Sequence, residues 1–171
     1  NFAKNSHPLF SVAKDSKVLS PETREILFKK IRAAQKEGSL DYAVACVSSK
    51  IIDSRGITFA IRLAIKRILN KLAVPPHETL VLLDGSLKAP EHFLFQETII
   101  RGDSSEPIIS LASVAAKVVR DKKMIRLAKI YPDFNFHIHK GYGTLAHRRL
   151  IKECGPCEIH RRSFLKSILL T

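Results

Sequence analysis

Hydrophobic positions fall along this chain in two rhythms, one helical and one extended. After Ser20-Pro21-Glu22, the apolar residues Ile26, Leu27, Ile31 and Ala34 recur at helical spacing. Serine at the N-cap, proline at the first helical position and an acid in the first turn predict the start of that helix, and Gly38 predicts its end. A second stripe joins Ile57, Ala60, Ile61, Ala64, Ile68 and Leu72 at a period of 3.6, until Pro75-Pro76 stops it. A third follows Ser104-Ser105-Glu106-Pro107: Ile108, Leu111, Ala112, Ala115, Val118 and Val119, ending at Tyr131-Pro132. Small residues (Ala112, Ser113, Ala115, Ala116) make that face slim enough to lie close to a sheet. Residues 145–153 predict a shorter helix.

Between these stripes lie short continuous apolar runs. Tyr42-Ala43-Val44-Ala45-Cys46-Val47 predicts a strand. Leu80-Val81-Leu82-Leu83-Asp84-Gly85 and its echo Thr98-Ile99-Ile100-Arg101-Gly102-Asp103 predict strands buried on both faces, each ending in an aspartate beside a glycine. Helices alternating with such strands predict an α/β fold. A length of 171 residues suits one domain with a core and a small appendage.

Charge narrows the function. The chain carries 29 Lys and Arg against 16 Asp and Glu, a net +13. A sequence pI near 9.9 points to a polyanionic partner, of which nucleic acid is the commonest. No apolar run reaches the roughly 18–20 residues of a membrane span, and the N-terminus shows no signal pattern. Three cysteines make no disulfide framework, so a reducing, cytoplasmic setting is expected. Nothing in the sequence demands an obligate partner, and a monomer is expected.

Several groups carry candidate chemistry, each beside a plainer reading. Asp84 and Asp103 at the lip of a sheet suit a hard divalent cation; the same Asp-Gly pairs also make ordinary turns, and Asp103 also suits a helix start. In Lys140-Gly141-Tyr142-Gly143-Thr144, glycines let the main chain approach a phosphate or sugar, lysine meets phosphate and tyrosine stacks; the alternative is a turn anchored by a buried tyrosine. Lys14, Lys17, Lys117, Arg120, Lys122 and Lys123 are candidate phosphate contacts or solvated surface charges. Cys154-Gly155-Pro156-Cys157 matches a redox tetrapeptide, and Cys154 and Cys157 with His147 and His160 match a zinc ligand set. The favoured reading there is a Gly-Pro turn ending a helix.

Taken together, the motifs resemble the ribonuclease HII family, the type 2 ribonucleases H. The resemblance rests on Asp15-Ser16-Lys17, Leu19-Ser20, Arg24-Glu25, Ile52-Asp53, Gly56-Ile57, Leu83-Asp84-Gly85, Gly102-Asp103, the run Ala112–Met124, Tyr131-Pro132, His139–Thr144, His147 and Ile159–Phe164, in order and at similar spacing. It implies a ribonuclease H-like fold, a mixed sheet flanked by helices, with residues 1–130 as the catalytic domain and 131–171 as a helical, substrate-binding extension of it. It implies hydrolysis of the RNA strand of RNA–DNA hybrids and of single ribonucleotides embedded in DNA, with Mg²⁺ or Mn²⁺ as cofactor. Asp84 and Asp103 match the third and fourth of the family's four carboxylates. Tyr142 matches the tyrosine that stacks on the sugar at the RNA–DNA junction, and Lys17 and Lys140 match positions near the substrate backbone.

The chain departs from the family at its start. The family's Asp-Glu pair and its glycine-arginine-glycine loop have no counterpart, and the chain opens with Asn1. A sequence missing its N-terminal end, with the first strands absent, is the simplest expectation. The alternatives are a remnant that binds nucleic acid without cutting it, and a redox or zinc protein centred on Cys154 and Cys157.

Overall fold

The computed structural model describes residues 7–13 and 19–169, apart from the side chains of Val12 and Ala13. The chain forms two compact units. One comprises Asn1–Ala45, as far as it is described, with Arg62–Val118; the other comprises Cys46–Ile61 with Val119–Thr171.

The first unit holds α1 (Leu9–Ala13), α2 (Pro21–Lys36), the greater part of α4 (Ile57–Leu72), strands β1 (Val81–Asp84) and β2 (Gln96–Ile99), α5 (Gly102–Ser105) and the first half of α6 (Pro107–Ile130). Helix α2 begins where the sequence places it: the Ser20 hydroxyl accepts the Thr23 N–H at 3.2 Å. Leu27, Phe28, Ile31 and Ala34 form its buried face, and Phe28 meets the ring of Tyr42 edge-on at 5.5 Å. Strands β1 and β2 are parallel, with Val81 opposite Gln96 and Asp84 opposite Ile99. Leu83 turns inward onto Leu69, Ala89 and Phe93, and Ile65, Val74, Val81 and Leu87 surround that cluster.

Several expectations change. Strands β1 and β2 are not buried on both faces: Leu83 is the buried residue of the pair, and Leu80 before β1 is exposed. Ile26 and Ile57, placed in helical stripes, are exposed as well. Tyr42–Val47 forms no regular element, since a strand exists only by pairing and β1 and β2 are the paired strands among the described residues. The echo of β1 is displaced: β2 stops at Ile99, Ile100 is 84% exposed, and Arg101 turns the chain through the left-handed region at φ +56°. Asp103 therefore stands in the first turn of α5 rather than at a strand end. The buried stripe of α6 is Ile109, Ser110, Leu111, Val114, Ala115 and Val118, so Ile108 and Ala112 face solvent. The helix starts at Pro107, and a rotation of about 100° per residue turns a small error in phase into a different face.

In the second unit, α3 (Ser49–Arg55) and the end of α6 stand with α7 (Phe136–His139), α8 (Leu145–Cys154) and α9 (Lys166–Leu169). Its core is Phe134, Phe136, Ile151 and Leu165, with Met124, Leu127, Tyr131 and Ile159 packed around it. Phe134 and Phe136 stack at 5.5 Å. The carboxylate of Asp53 on α3 ties down the turn at Arg162–Phe164: it accepts the N–H groups of Arg162 and Ser163, each at 2.9 Å, and the Ser163 hydroxyl at 2.5 Å. Those bonds, the serine hydroxyl's foremost, hold the Asp53 carboxyl below its ordinary pKa.

A depressed folded-state pKa contributes stability that is present above the unfolded value, about 4, and is lost as pH falls through the folded value. Asp53→Ala is therefore expected to lower the midpoint of thermal unfolding at pH 7, with the gap to the wild type closing below about pH 4. Thermal scans of both proteins from pH 7 to pH 3 check this; a gap independent of pH would remove the ionised carboxylate as its cause.

Candidate active site

Asp84 is the last residue of β1 and is exposed to solvent. Parallel pairing carries β1 to this point, and Gly85, at φ +71°, turns the chain away while its N–H donates to Ile99 O at 3.0 Å. The Asp84 carboxylate does not dangle: its Oδ1 accepts the N–H of Gly102 at 2.8 Å. Asp103 follows directly, half-buried, with the Ser104 hydroxyl 3.3 Å from its Oδ1. One hydrogen bond thus fixes one aspartate against the residue before the other. A methyl group at Gly102 would stand 2.6 Å from Ile109 Cδ1, 3.4 Å from Ile99 Cβ and 3.6 Å from Asp84 Oδ1. Only hydrogen fits there without displacement, because Ile109 is itself buried.

The second unit carries the tyrosine loop. Lys140 and Gly141 both lie in the left-handed region, at φ +51° and +75°. Tyr142 is 56% exposed, and the Arg120 guanidinium covers one face of its ring at 4.2 Å. The same guanidinium donates to Lys140 O at 2.9 Å. The ammonium of Lys140 reaches back to His137 O. Three buried histidines, His139, His147 and His160, stand under the loop. Asp84 and Asp103 thus lie together in one unit, and Lys140 and Tyr142 together in the other. Lys14 and Lys17 lie outside the described residues.

The Cys154–Cys157 motif has a plain geometry. Helix α8 ends at Cys154, which is exposed, and Gly155 caps it at φ +71°. Cys157 is partly buried, with its Sγ 3.0 Å from His160 Nδ1. Burial pushes its thiol above the ordinary value, the reverse of what a redox nucleophile needs. Among the described residues, no group of three His, Cys, Asp or Glu is arranged to hold a metal ion, so the proposed zinc set finds no support.

Comparison with known proteins decides the lineage. The family model described as Ribonuclease HII matches residues 9–167. The chain belongs to the ribonuclease HII family. It is 46% identical over 156 residues to ribonuclease HII of Caldicellulosiruptor saccharolyticus, covering 91% of this chain and 73% of that protein. Against ribonuclease HII of Bordetella pertussis it is 45% identical over 150 residues, covering 88% and 71%. Its backbone is similar to the crystal structure of ribonuclease H2 from Pyrococcus horikoshii OT3, with a TM-score of 0.68 at 24% identity, covering 98% of this chain and 85% of that one. The fold is accordingly α/β and ribonuclease H-like, and by family the chain is a type 2 ribonuclease H, a hydrolase acting on nucleic acid with divalent-metal dependence. No helix among the described residues is long and apolar enough to cross a membrane.

Asp84 and Asp103 fit that dependence by donor chemistry. Both offer hard carboxylate oxygens, and magnesium commonly takes only one or two protein carboxylates beside waters and substrate phosphate. Sequence reasoning within the ribonuclease HII pattern missed two things. Arg120 was readable as a phosphate contact or a solvated charge, but nothing in a helical stripe says that its fork will meet a ring and a carbonyl twenty residues on. The histidine assembly was legible only in part: His147 and His160 stand together in the candidate zinc set, but nothing in the sequence brings His139 to them or gives the order of their hydrogen bonds.

Gly102→Ala is expected to cost about 1–3 kcal/mol by overpacking against Ile109, read as a lower denaturant midpoint with unchanged slope. In native protein at pH 8, a thiol reagent is expected to label Cys46 and Cys154 readily and Cys157 only slowly, all three equalising on unfolding. Fast native labelling of Cys157 would reopen the redox reading.

Proposed function

We propose that this chain is an endoribonuclease that hydrolyses the RNA strand of RNA–DNA hybrids and cuts at single ribonucleotides embedded in DNA. The reading is carried by the bond from Gly102 N–H to Asp84 Oδ1, which holds an exposed carboxylate at the end of β1 beside the residue preceding Asp103. Asp84 and Asp103 would hold Mg²⁺ or Mn²⁺. Bound there, the metal supplies an activated water and stabilises the oxygen that leaves the phosphodiester.

The chain's own groups do the rest. Asp84 presents its carboxylate outward with one oxygen already committed to Gly102 N–H, so that the group is oriented before any ligand arrives. Tyr142 offers an exposed ring, braced by Arg120, for stacking on the sugar at an RNA–DNA junction. Lys17 and Lys140 neutralise backbone phosphate, and residues 131–171 serve as the substrate-binding extension of the catalytic domain. A net charge of +13 supports the same partner: each phosphate contact releases counterions, so affinity falls steeply with salt. The chain is proposed to act as a cytoplasmic monomer.

The test is a DNA duplex with one ribonucleotide, incubated with the chain at low salt in Mn²⁺ or Mg²⁺ and read for both cleavage and gel retention. Cleavage at the ribonucleotide is expected. Asp84→Asn is expected to reduce it by about a thousandfold, several kcal/mol of barrier, while retention changes less than about threefold. Retention without cleavage by the wild type would favour a binding protein over a nuclease. Undiminished cleavage by Asp84→Asn would remove that residue from the metal site.

A further inference from the structure

The loop that carries Tyr142 is held from beneath by a hydrogen-bond chain whose proton order follows from its ends. Tyr142 O can only accept, so His147, 2.9 Å away, must carry its proton on Nδ1. His147 Nε2 is then a bare lone pair, and His160 Nε2 lies 3.1 Å from it and must donate. His160 Nδ1 is bare in turn and accepts the N–H of Cys157 at 3.0 Å, with the Cys157 thiol also at 3.0 Å. His139 repeats the pattern beside them. Its Nε2–H donates to Phe134 O at 2.6 Å, and its Nδ1 accepts Gly141 N–H at 3.1 Å. Every ring has one donor and one acceptor in use.

The three rings leave no room to rearrange. His139 stacks on His147 at 4.1 Å, and Phe136 meets both edge-on at 5.8 and 5.6 Å. Phe134 presses on His160 at 4.9 Å. All three histidines are at most 8% exposed. A further proton would set N–H against N–H in each case: on His147 against His160, on His160 against Cys157, on His139 against Gly141. Swapping the tautomer of His160 only moves the clash to Cys157. The charged groups around the cluster are His137 and Lys140 on the side of His139, Cys157 and Glu158 beyond His160, and the guanidinium groups of Arg120 and Arg148 on the carbonyls of Lys140 and Gly143. Burial, followed by the neighbouring histidine, holds His139 and His160 below the ordinary histidine pKa.

We propose that His147, ordered by His160, is a positioning residue for Tyr142, and that it fixes the Gly141–Gly143 loop in its binding conformation only while the three histidines are neutral. The proposal rests on the ribonuclease reading for what Tyr142 does, but not for how the loop is held. Its consequence runs against the general electrostatics. Acidification makes a basic protein more cationic and tightens binding to any duplex. Discrimination by Tyr142, the ratio of affinity for a duplex with one ribonucleotide to affinity for the all-DNA duplex, should instead fall.

The full chain is titrated by fluorescence anisotropy with both duplexes, without divalent cation, from pH 8 to pH 5, beside His147→Asn, His147→Ala and Tyr142→Ala. Circular dichroism verifies that each variant is folded at pH 8. Asparagine keeps a neutral N–H donor near the position of Nδ1 and takes up no proton. In the wild type the ratio is expected to fall about fivefold with acid, the loss of one hydrogen bond's worth of order. In His147→Asn it should start high and fall clearly less than in the wild type, because only the contact of His139 with Gly141 N–H is still open to a proton, and in His147→Ala it should be low throughout. Histidine ¹⁵N spectra at pH 8 should show the Nδ1–H form for His147 and the Nε2–H form for His139 and His160, with the neutral forms of His139 and His160 lost as the ratio falls. A wild-type ratio that stays constant while those spectra titrate would overturn the proposal, as would a ratio for His147→Asn that falls like the wild type's. If neither wild type nor Tyr142→Ala discriminates at any pH, the ribonuclease reading of Tyr142 fails. Amide exchange at Tyr142 and Gly143 then decides the positioning role: faster exchange in His147→Ala sustains it, and unchanged exchange overturns it.

Discussion

Room for one main-chain atom group is the constraint on which the aspartate pair depends. At Gly102 the chain comes so close to Asp84, Ile99 and Ile109 that no side chain fits, and the approach brings an N–H onto the Asp84 carboxylate. Parallel pairing sets where β1 stops, the left-handed residue Arg101 turns β2 into α5, and the glycine closes the distance. Neither β1 nor α5 alone would place the pair. An exposed carboxylate with one oxygen already occupied has lost much of its freedom to rotate, which is the kind of ordering that a metal or phosphate otherwise has to impose.

The second unit answers a different constraint: buried polar atoms must be paired. It places three imidazoles beside Phe134 and Phe136 rather than more aliphatic residues. An aliphatic core would be simpler to satisfy, but it could not hold the carbonyl of Tyr142, the carbonyl of Phe134 and the N–H groups of Gly141 and Cys157 in fixed directions. Direction is what hydrogen bonds add to packing, and an exposed, glycine-flanked loop otherwise has little of it.

Much of this was legible in the sequence, and the parts that were not share a cause. Local signals held. Ser20 caps α2, Gly155 ends α8, and the β1 run is a strand ending at Asp84. The pattern of motifs from Asp15 to Phe164 led to the family. Signals that depend on a distant partner failed. Tyr42–Val47 has the composition of a strand but forms none, and the Thr98–Asp103 stretch was read as a copy of β1 although its last part turns into a helix. Arg120 over Tyr142, Asp53 under Ser163 and the histidine chain are all tertiary pairings, which no periodicity announces.

Arg101 and Lys140 share a property that neither shows in its contacts. Each is a non-glycine residue in left-handed backbone, and each stands two positions before a candidate site residue, Asp103 and Tyr142. Such a conformation costs of order 1–3 kcal/mol, and glycine would remove most of that. The chain keeps a long cation at both turns instead. Stability and site chemistry are therefore in direct competition at these two positions: a selection for thermal resistance alone would drive both toward glycine, and would remove two positive charges from the turns that lead into Asp103 and Tyr142.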